Sequence, residues 1–209
     1  MNTDHLTSQT DAQEILWLDL GTTREALQRD LASQYLRRQL VRGFCAYTEA
    51  HTFYLKSTVL FVRQLVFGLL SADPTPVRAR LGEFFSLEFH SAEIQLLREQ
   101  NSEVDDSGGI RTTPKFIHAA RNIRFAQASY LRSIKTGFAV NYQDHGWATL
   151  REVITLRNRL THPKTKDDLA VSDAALNHVI AANDWFRDTS FNMTKAGNER
   201  LEAFVALLP

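Results

Sequence analysis

The sequence predicts an all-α protein: an antiparallel helical bundle of about five main helices, the longest of them near the N-terminus. Three observations predict it. From Arg24 to Leu70, apolar residues return at three-to-five-residue steps (Leu27, Leu31, Tyr35, Leu40, Phe44, Tyr47, then Tyr54, Thr58, Val62, Leu65 and Leu69), the spacing of a helix face. Lys115 to Thr136 repeats that spacing. No segment carries a convincing strand alternation. A helix as long as Arg24–Leu70 implies antiparallel neighbours that cover successive stretches of it.

The elements follow in order. Met1 to Asp11 is polar and acidic, and Met1 to Thr10 is expected as a disordered lead-in. Ala12 to Leu20 makes a short helix. Gly21-Thr22-Thr23 then reads as a stop followed by a cap. Arg24 to Leu70 is one long helix, or two joined near Gly43. Asp73-Pro74-Thr75-Pro76 is a turn and helix start, because proline is tolerated early in a helix, and Val77 to Phe85 is a short helix. Ser91 to Glu99 is another, with Ser91 as its cap. Asn101 to Thr113 holds Asp105-Asp106-Ser107-Gly108-Gly109, a strong turn signal, in a small hairpin or a mobile loop. In Lys115–Thr136, Phe116, Ala119, Ala120, Ile123, Ala126, Tyr130, Leu131 and Ile134 are expected to face inward, and Gly137 to end the helix. His145 to His162 is the next helix, Lys164 to Leu169 a charged loop. Ser172 caps a helix to about Trp185, and Thr194 to Leu208 is the last.

Length and composition bound the function. A chain of 209 residues with 44% apolar and 23% charged residues is that of one soluble globular domain, taken as 1–209. Net charge is zero, so no overall basic field advertises nucleic acid, and any such binding needs a local patch. Cys45 is the only cysteine, which excludes an internal disulfide and a cysteine-based zinc site and fits a reducing cytoplasm. The N-terminus has no apolar signal core. The apolar run Thr58–Leu70 is broken by Arg63 and Gln64, so it reads as a core helix, shorter than the roughly 20 residues of a membrane span.

The most informative stretch is Arg157-Asn158-Arg159-Leu160-Thr161-His162-Pro163. Leu150, Val153, Ile154 and Leu156 lead into it as a helical face. Pro163 closes the helix, because a residue before proline is pushed out of the α region. Asn158 and His162 are four apart and share a face. Arg157 and His162 are five apart, about 140° around the helix. A guanidinium, a carboxamide and an imidazole at one helix end suit chemistry on a phosphate. Spacing alone is a weak signal, since Arg111 precedes His118 at a similar distance in a segment that reads as a loop.

A helix ending in Arg-Asn-x-x-x-His-Pro within an all-helical domain resembles the HEPN superfamily (higher eukaryotes and prokaryotes nucleotide-binding). The resemblance extends to Arg42-Gly43-Phe44-Cys45-Ala46-Tyr47-Thr48-Glu49 and to Pro114–Phe125, though the only sharp motif is Arg157 to His162. It implies an antiparallel bundle that usually dimerises, and a metal-independent endoribonuclease of the toxin–antitoxin or phage-defence kind. RNA is then the substrate, and an antitoxin or other protein a partner. Some members only bind, so a non-catalytic module for a nucleotide or protein partner is the alternative. An unrelated helical scaffold is a third reading.

Metal-free RNA cleavage by the 2′-OH needs a base, an acid and cations around the phosphorane. Histidine serves in proton transfer, and arginine offers a fixed fork of donors. His162 is thus expected to move the proton, Arg157 to hold the phosphate, and Asn158 to orient His162 or the phosphate. A two-fold dimer would bring two histidines into one cleft. Against this, His162 is readable as a helix C-cap whose imidazolium suits the dipole, and Arg157 as the partner of Glu152 or Asp168. Arg42 and Glu49, seven apart, form a polar stripe that faces the motif, with Glu49 pairing Arg157 or Arg42, or else an ion pair that fixes helix register. Arg121, Asn122 and Arg124 would extend a phosphate-binding surface. Arg159 trails phosphate or is solvated, and Lys164 with Lys166 offers a weak RNA backbone patch or solvated surface. His51, His90, His118, His145 and His178 show no metal spacing, so neither metal nor cofactor is expected.

Overall fold

The computed structural model describes residues 3–72, 81–86 and 88–206. The architecture is all-α. In chain order the elements are α1 (Thr3–Arg29), α2 (Gln34–Ala72), α3 (Ser91–Leu97), a two-stranded hairpin of β1 (Gln100–Val104) and β2 (Ile110–Pro114), α4 (Ala119–Ser133), α5 (His145–Thr161), a 3-10 turn at Lys166–Leu169, and α6 (Asp173–Val205). The turn expected at Asp73–Pro76 and the first part of the helix expected over Val77–Phe85 lie outside the described residues, while 81–84 are helical.

Several boundaries differ from the sequence expectation, each for a local reason. Residues 3–10, expected as a lead-in, belong to α1. Gly21-Thr22-Thr23 does not interrupt that helix. The Thr23 hydroxyl donates back to the Asp19 carbonyl at 2.8 Å, which satisfies it inside the helix instead of at a cap. The break comes at Asp30–Ser33, where the Ser33 hydroxyl accepts from the Leu36 amide at 3.4 Å and caps α2. Gly43 leaves α2 unbroken, so the long helix starts ten residues later than Arg24. The cap of α3 is His90, whose backbone N–H donates to Glu93, and Ser91 is already helical. The two C-terminal helices are one, α6, capped by the Ser172 hydroxyl. The Asp105–Gly109 turn closes a hairpin, with the Asp105 carboxylate accepting from the Ser107 and Gly109 amides. α4 starts at Ala119, not Lys115, which leaves Phe116 93% exposed instead of inward. It ends before Gly137. Lys135 takes the left-handed position (φ 47°), with Thr136 N–H bonded to Leu131 O and Lys135 N–H to Arg132 O, a Schellman motif built on lysine.

The chain packs as two compact units, each described separately. The motif unit comprises residues 7–51 and 140–192. Its core gathers Phe44, Tyr47 and His51 of α2 around Phe186 of α6, with ring centres 5.4–6.2 Å apart. Trp17 of α1 packs against Tyr47 with its ring tilted and centres 5.3 Å apart. Chain directions follow from such pairs. Gln13–His51 and Trp17–Tyr47 make α1 antiparallel to α2, whereas Arg37–Asp173 and His51–Phe186 make α2 and α6 parallel. Trp185 lies against the first turn of α5, where a Cβ on Gly146 would fall 2.3 Å from the indole, so only glycine fits.

The hairpin unit comprises residues 1–6, 52–139 and 193–209. Its described core includes Val62, Val66, Leu81, Phe84, Phe85 and Phe204. Lys56 is fully buried and bonds to the Glu99 carboxylate at 2.8 Å and the Leu96 carbonyl at 3.2 Å. Asn122 donates to the same Glu99 oxygen. Burial pulls the Lys56 ammonium below its usual range, and Glu99 opposes that shift.

Among the described residues, α2 is the helix that is long and apolar enough to cross a membrane by those two measures, and a third of its most apolar window is buried.

Candidate functional site

The motif is built on α5. Asp144 caps its N-terminus, accepting from the Gly146 amide at 2.7 Å. Leu150, Val153, Ile154, Leu156 and Leu160 are buried and fix the rotation of the helix. That rotation leaves Arg157 partly exposed and Asn158 and His162 exposed. His162 is the C-cap residue (φ −125°, ψ 60°), its amide donating to Asn158 O at 3.0 Å. Its imidazole makes no hydrogen bond or ion pair among the described residues.

Arg157 has a specific partner. Its guanidinium lies 3.1 Å from the Glu49 carboxylate of α2, and a second nitrogen donates to the Asn158 carboxamide oxygen at 3.4 Å. Of the two partners expected for Glu49, the structure selects Arg157. Neither Glu152 nor Asp168, the other candidates for Arg157, takes that place. Glu152 pairs with His178 on α6 at 2.7 Å. Asp168 accepts from the Lys164 and Thr165 amides, bonds that hold its carboxyl below the usual range.

Arg42 lies beside the same helix end and donates to the Leu160 carbonyl at 3.4 Å. Beneath the Arg157–Glu49 pair sits Cys45, buried at 3% exposure, its thiol pushed up to about 12 by burial, with Arg157 and Glu49 acting on it in opposite senses. Arg42, Glu49, Arg157 and Asn158 are thus gathered at the C-terminal end of α5, where His162 is exposed at the cap. Arg159 points elsewhere, donating to the Ala170 carbonyl at 3.0 Å, so it secures the chain after the motif. Lys164 is exposed and enters that network through its backbone. Arg121 is exposed on α4 and belongs to the hairpin unit.

The sequence reading missed what holds the motif loop. Gln34 embraces Val171 like a backbone strand, its amide donating to the Val171 carbonyl at 3.1 Å and accepting from the Val171 amide at 2.8 Å. Buried Arg37 bonds the Leu31 and Val171 carbonyls and the Asp173 carboxylate at 2.6–2.8 Å. A polar pair just inside a helix after a serine cap was the available signal. The His178–Glu152 pair was also missed. It edges a cavity of about 240 Å³ that Thr155 and Arg159 also line. No group of three or more metal-ligating side chains occurs among the described residues.

Compared with family models, with characterised proteins and with solved structures, the chain has no significant match to any of them.

Proposed function

We propose that the chain is a HEPN-like, metal-independent endoribonuclease that acts on RNA as a homodimer, with its site at the C-terminal end of α5. The observation that carries this reading is an exposed His162 and a partly exposed Arg157 at one helix end, with the Arg157 guanidinium held by a surface carboxylate and the neighbouring Asn158 carboxamide. Exposed pairs of this kind contribute roughly 0.2–1 kcal/mol, so a phosphate can replace Glu49 at little cost.

In the reaction, the 2′-oxygen attacks the adjacent phosphorus and the P–O5′ bond breaks. One His162 imidazole takes the 2′-OH proton, and the 5′-oxygen leaves with a proton from an acid. Arg157 neutralises the charge gathering on the phosphorane oxygens. Asn158, bonded to Arg157 through its carboxamide, sets the fork's orientation. A second copy related by two-fold symmetry supplies the second histidine, which acts as the acid. Arg42 and Lys164 extend the cationic surface at this helix end toward neighbouring phosphates. We read α2 as a core helix of a soluble, cytoplasmic protein, and assign the activity to a toxin or phage-defence role held in check by a protein partner.

One observation favours a second reading. Arg157 already has a carboxylate partner, as a non-catalytic module for a nucleotide or protein would require. Expression of the wild type, His162→Ala and Arg157→Ala in a bacterial host separates the two. The ribonuclease reading expects growth arrest and fragmented RNA for the wild type alone. Equal growth with intact RNA in all three favours the binding module.

A further inference from the structure

The half of α2 inside the hairpin unit carries a stripe that the motif does not use. Phe53, Ser57, Leu60, Gln64 and Phe67 follow at i, i+4, i+7, i+11 and i+14, one face of a helix. This face forms one wall of an open groove of about 570 Å³, and Leu97, Arg98 and Gln100, where α3 meets β1, form the other. Phe53 and Phe67 are each 42% exposed. The Arg63 guanidinium carbon stands 4.7 Å from the centre of the Phe67 ring, and its Nε is shielded from solvent without a hydrogen-bond partner among the described residues. Arg98 is exposed at the rim. The described lining contains two arginines and no carboxylate.

We propose that this groove binds a short single-stranded nucleic acid segment, with bases against Phe53 and Phe67 and phosphates on Arg63 and Arg98. Aromatic faces alternating with cations are what an unpaired strand needs, because every base has a face to stack and every link a charge to neutralise. Phe53 and Phe67 are about 21 Å apart along the helix axis, from 14 residues at 1.5 Å each, so one mononucleotide cannot touch both. A duplex keeps its bases stacked inside and offers the rings nothing. A docked partner helix would meet a lining that interleaves Ser57, Arg63, Gln64, Arg98 and Gln100 with its four apolar residues, unlike the continuous apolar seam such packing uses. The proposal concerns the hairpin unit alone and does not rest on the ribonuclease reading.

The test uses the full chain carrying His162→Ala, in EDTA, so that any cleavage cannot consume the probe. A labelled single-stranded RNA of about ten nucleotides, within the usual site size, is titrated by fluorescence anisotropy at several salt concentrations. DNA of the same sequence and a duplex run alongside. The proposal expects both single strands to bind and the duplex to bind at least tenfold more weakly. Adding Arg98→Gln weakens binding and lowers the salt slope by about one. Adding Phe67→Leu weakens it about fivefold or more, a lost stacking contact, with the slope unchanged. Thermal unfolding unchanged by Arg98→Gln, an exposed substitution, certifies the fold. No single-strand binding at low salt, a duplex bound as tightly, or affinity untouched by both substitutions would overturn it.

Discussion

The Arg157 guanidinium sits 3.1 Å from the Glu49 carboxylate, so a residue of α2 sets the aim of the motif arginine on α5. Both side chains are partly exposed, at 34% and 50%. Glu49→Gln is therefore expected to change unfolding free energy by less than about 1 kcal/mol, measured by chemical denaturation. With the carboxylate gone, Arg157 no longer has to leave an anion to meet a phosphate, and RNA affinity rises. Unchanged or weaker RNA binding would place Arg157 outside the RNA contact.

Arg37 carries a larger effect. It is 8% exposed and bonds two carbonyls and a carboxylate that join the α1–α2 turn to the start of α6. Arg37→Leu removes three charge-assisted bonds, but Asp173 stays solvated at 86% exposure and the Val171 carbonyl keeps its bond from Gln34, so a loss of about 2 kcal/mol is expected. Arg37→Lys recovers little of it, because an ammonium cannot reproduce the planar fork. Thermal and denaturant unfolding of the two variants check this.

The motif was legible in the sequence because its members are neighbours on one helix, where spacing fixes geometry. Glu49, paired to Arg157 from another helix, was placed there only as one of two options, since nothing local selects its partner. The helical class was legible from periodicity over long segments. Its boundaries were not, because Gly21-Thr22-Thr23 looks like a stop until the Thr23 hydroxyl is seen bonding back into its own helix. Likewise the break at Asp30–Ser33 rests on the Ser33 cap and on Arg37 bonding the Leu31 carbonyl six residues back, a pattern without the glycine or proline that usually marks a stop. Lys135 ends α4 in the conformation expected of glycine, and Gly137 nearby misdirected the reading.

His51 makes the fold sensitive to mild acid. It stacks beside Tyr47 and meets the edge of Phe186, and burial lowers its pKa from 6.5 to about 4. Between those values the unfolded chain takes up a proton that the folded one refuses. Stability therefore falls as pH drops from 6.5 to about 4, by up to about 3 kcal/mol. Denaturant titrations across this window should show that slope in the wild type and a flatter one in His51→Gln. Parallel profiles would contradict a neutral, buried His51.

Cys45 should be inert in the native state. Its thiol is buried and pushed up to about 12, which leaves almost no thiolate near neutrality. A chromogenic disulfide reagent is expected to react only as fast as the protein opens, and at once in denaturant. Rapid native labelling would contradict the packing beneath the Arg157–Glu49 pair.

The most direct test of the central claim is cleavage of a labelled RNA by the purified protein in EDTA, beside His162→Ala and Arg157→Ala. The account predicts products ending in 2′,3′-cyclic phosphate from the wild type and a loss of rate of at least about a hundredfold in either variant. Wild-type protein that leaves the RNA intact, or cleavage that survives both substitutions, would contradict it.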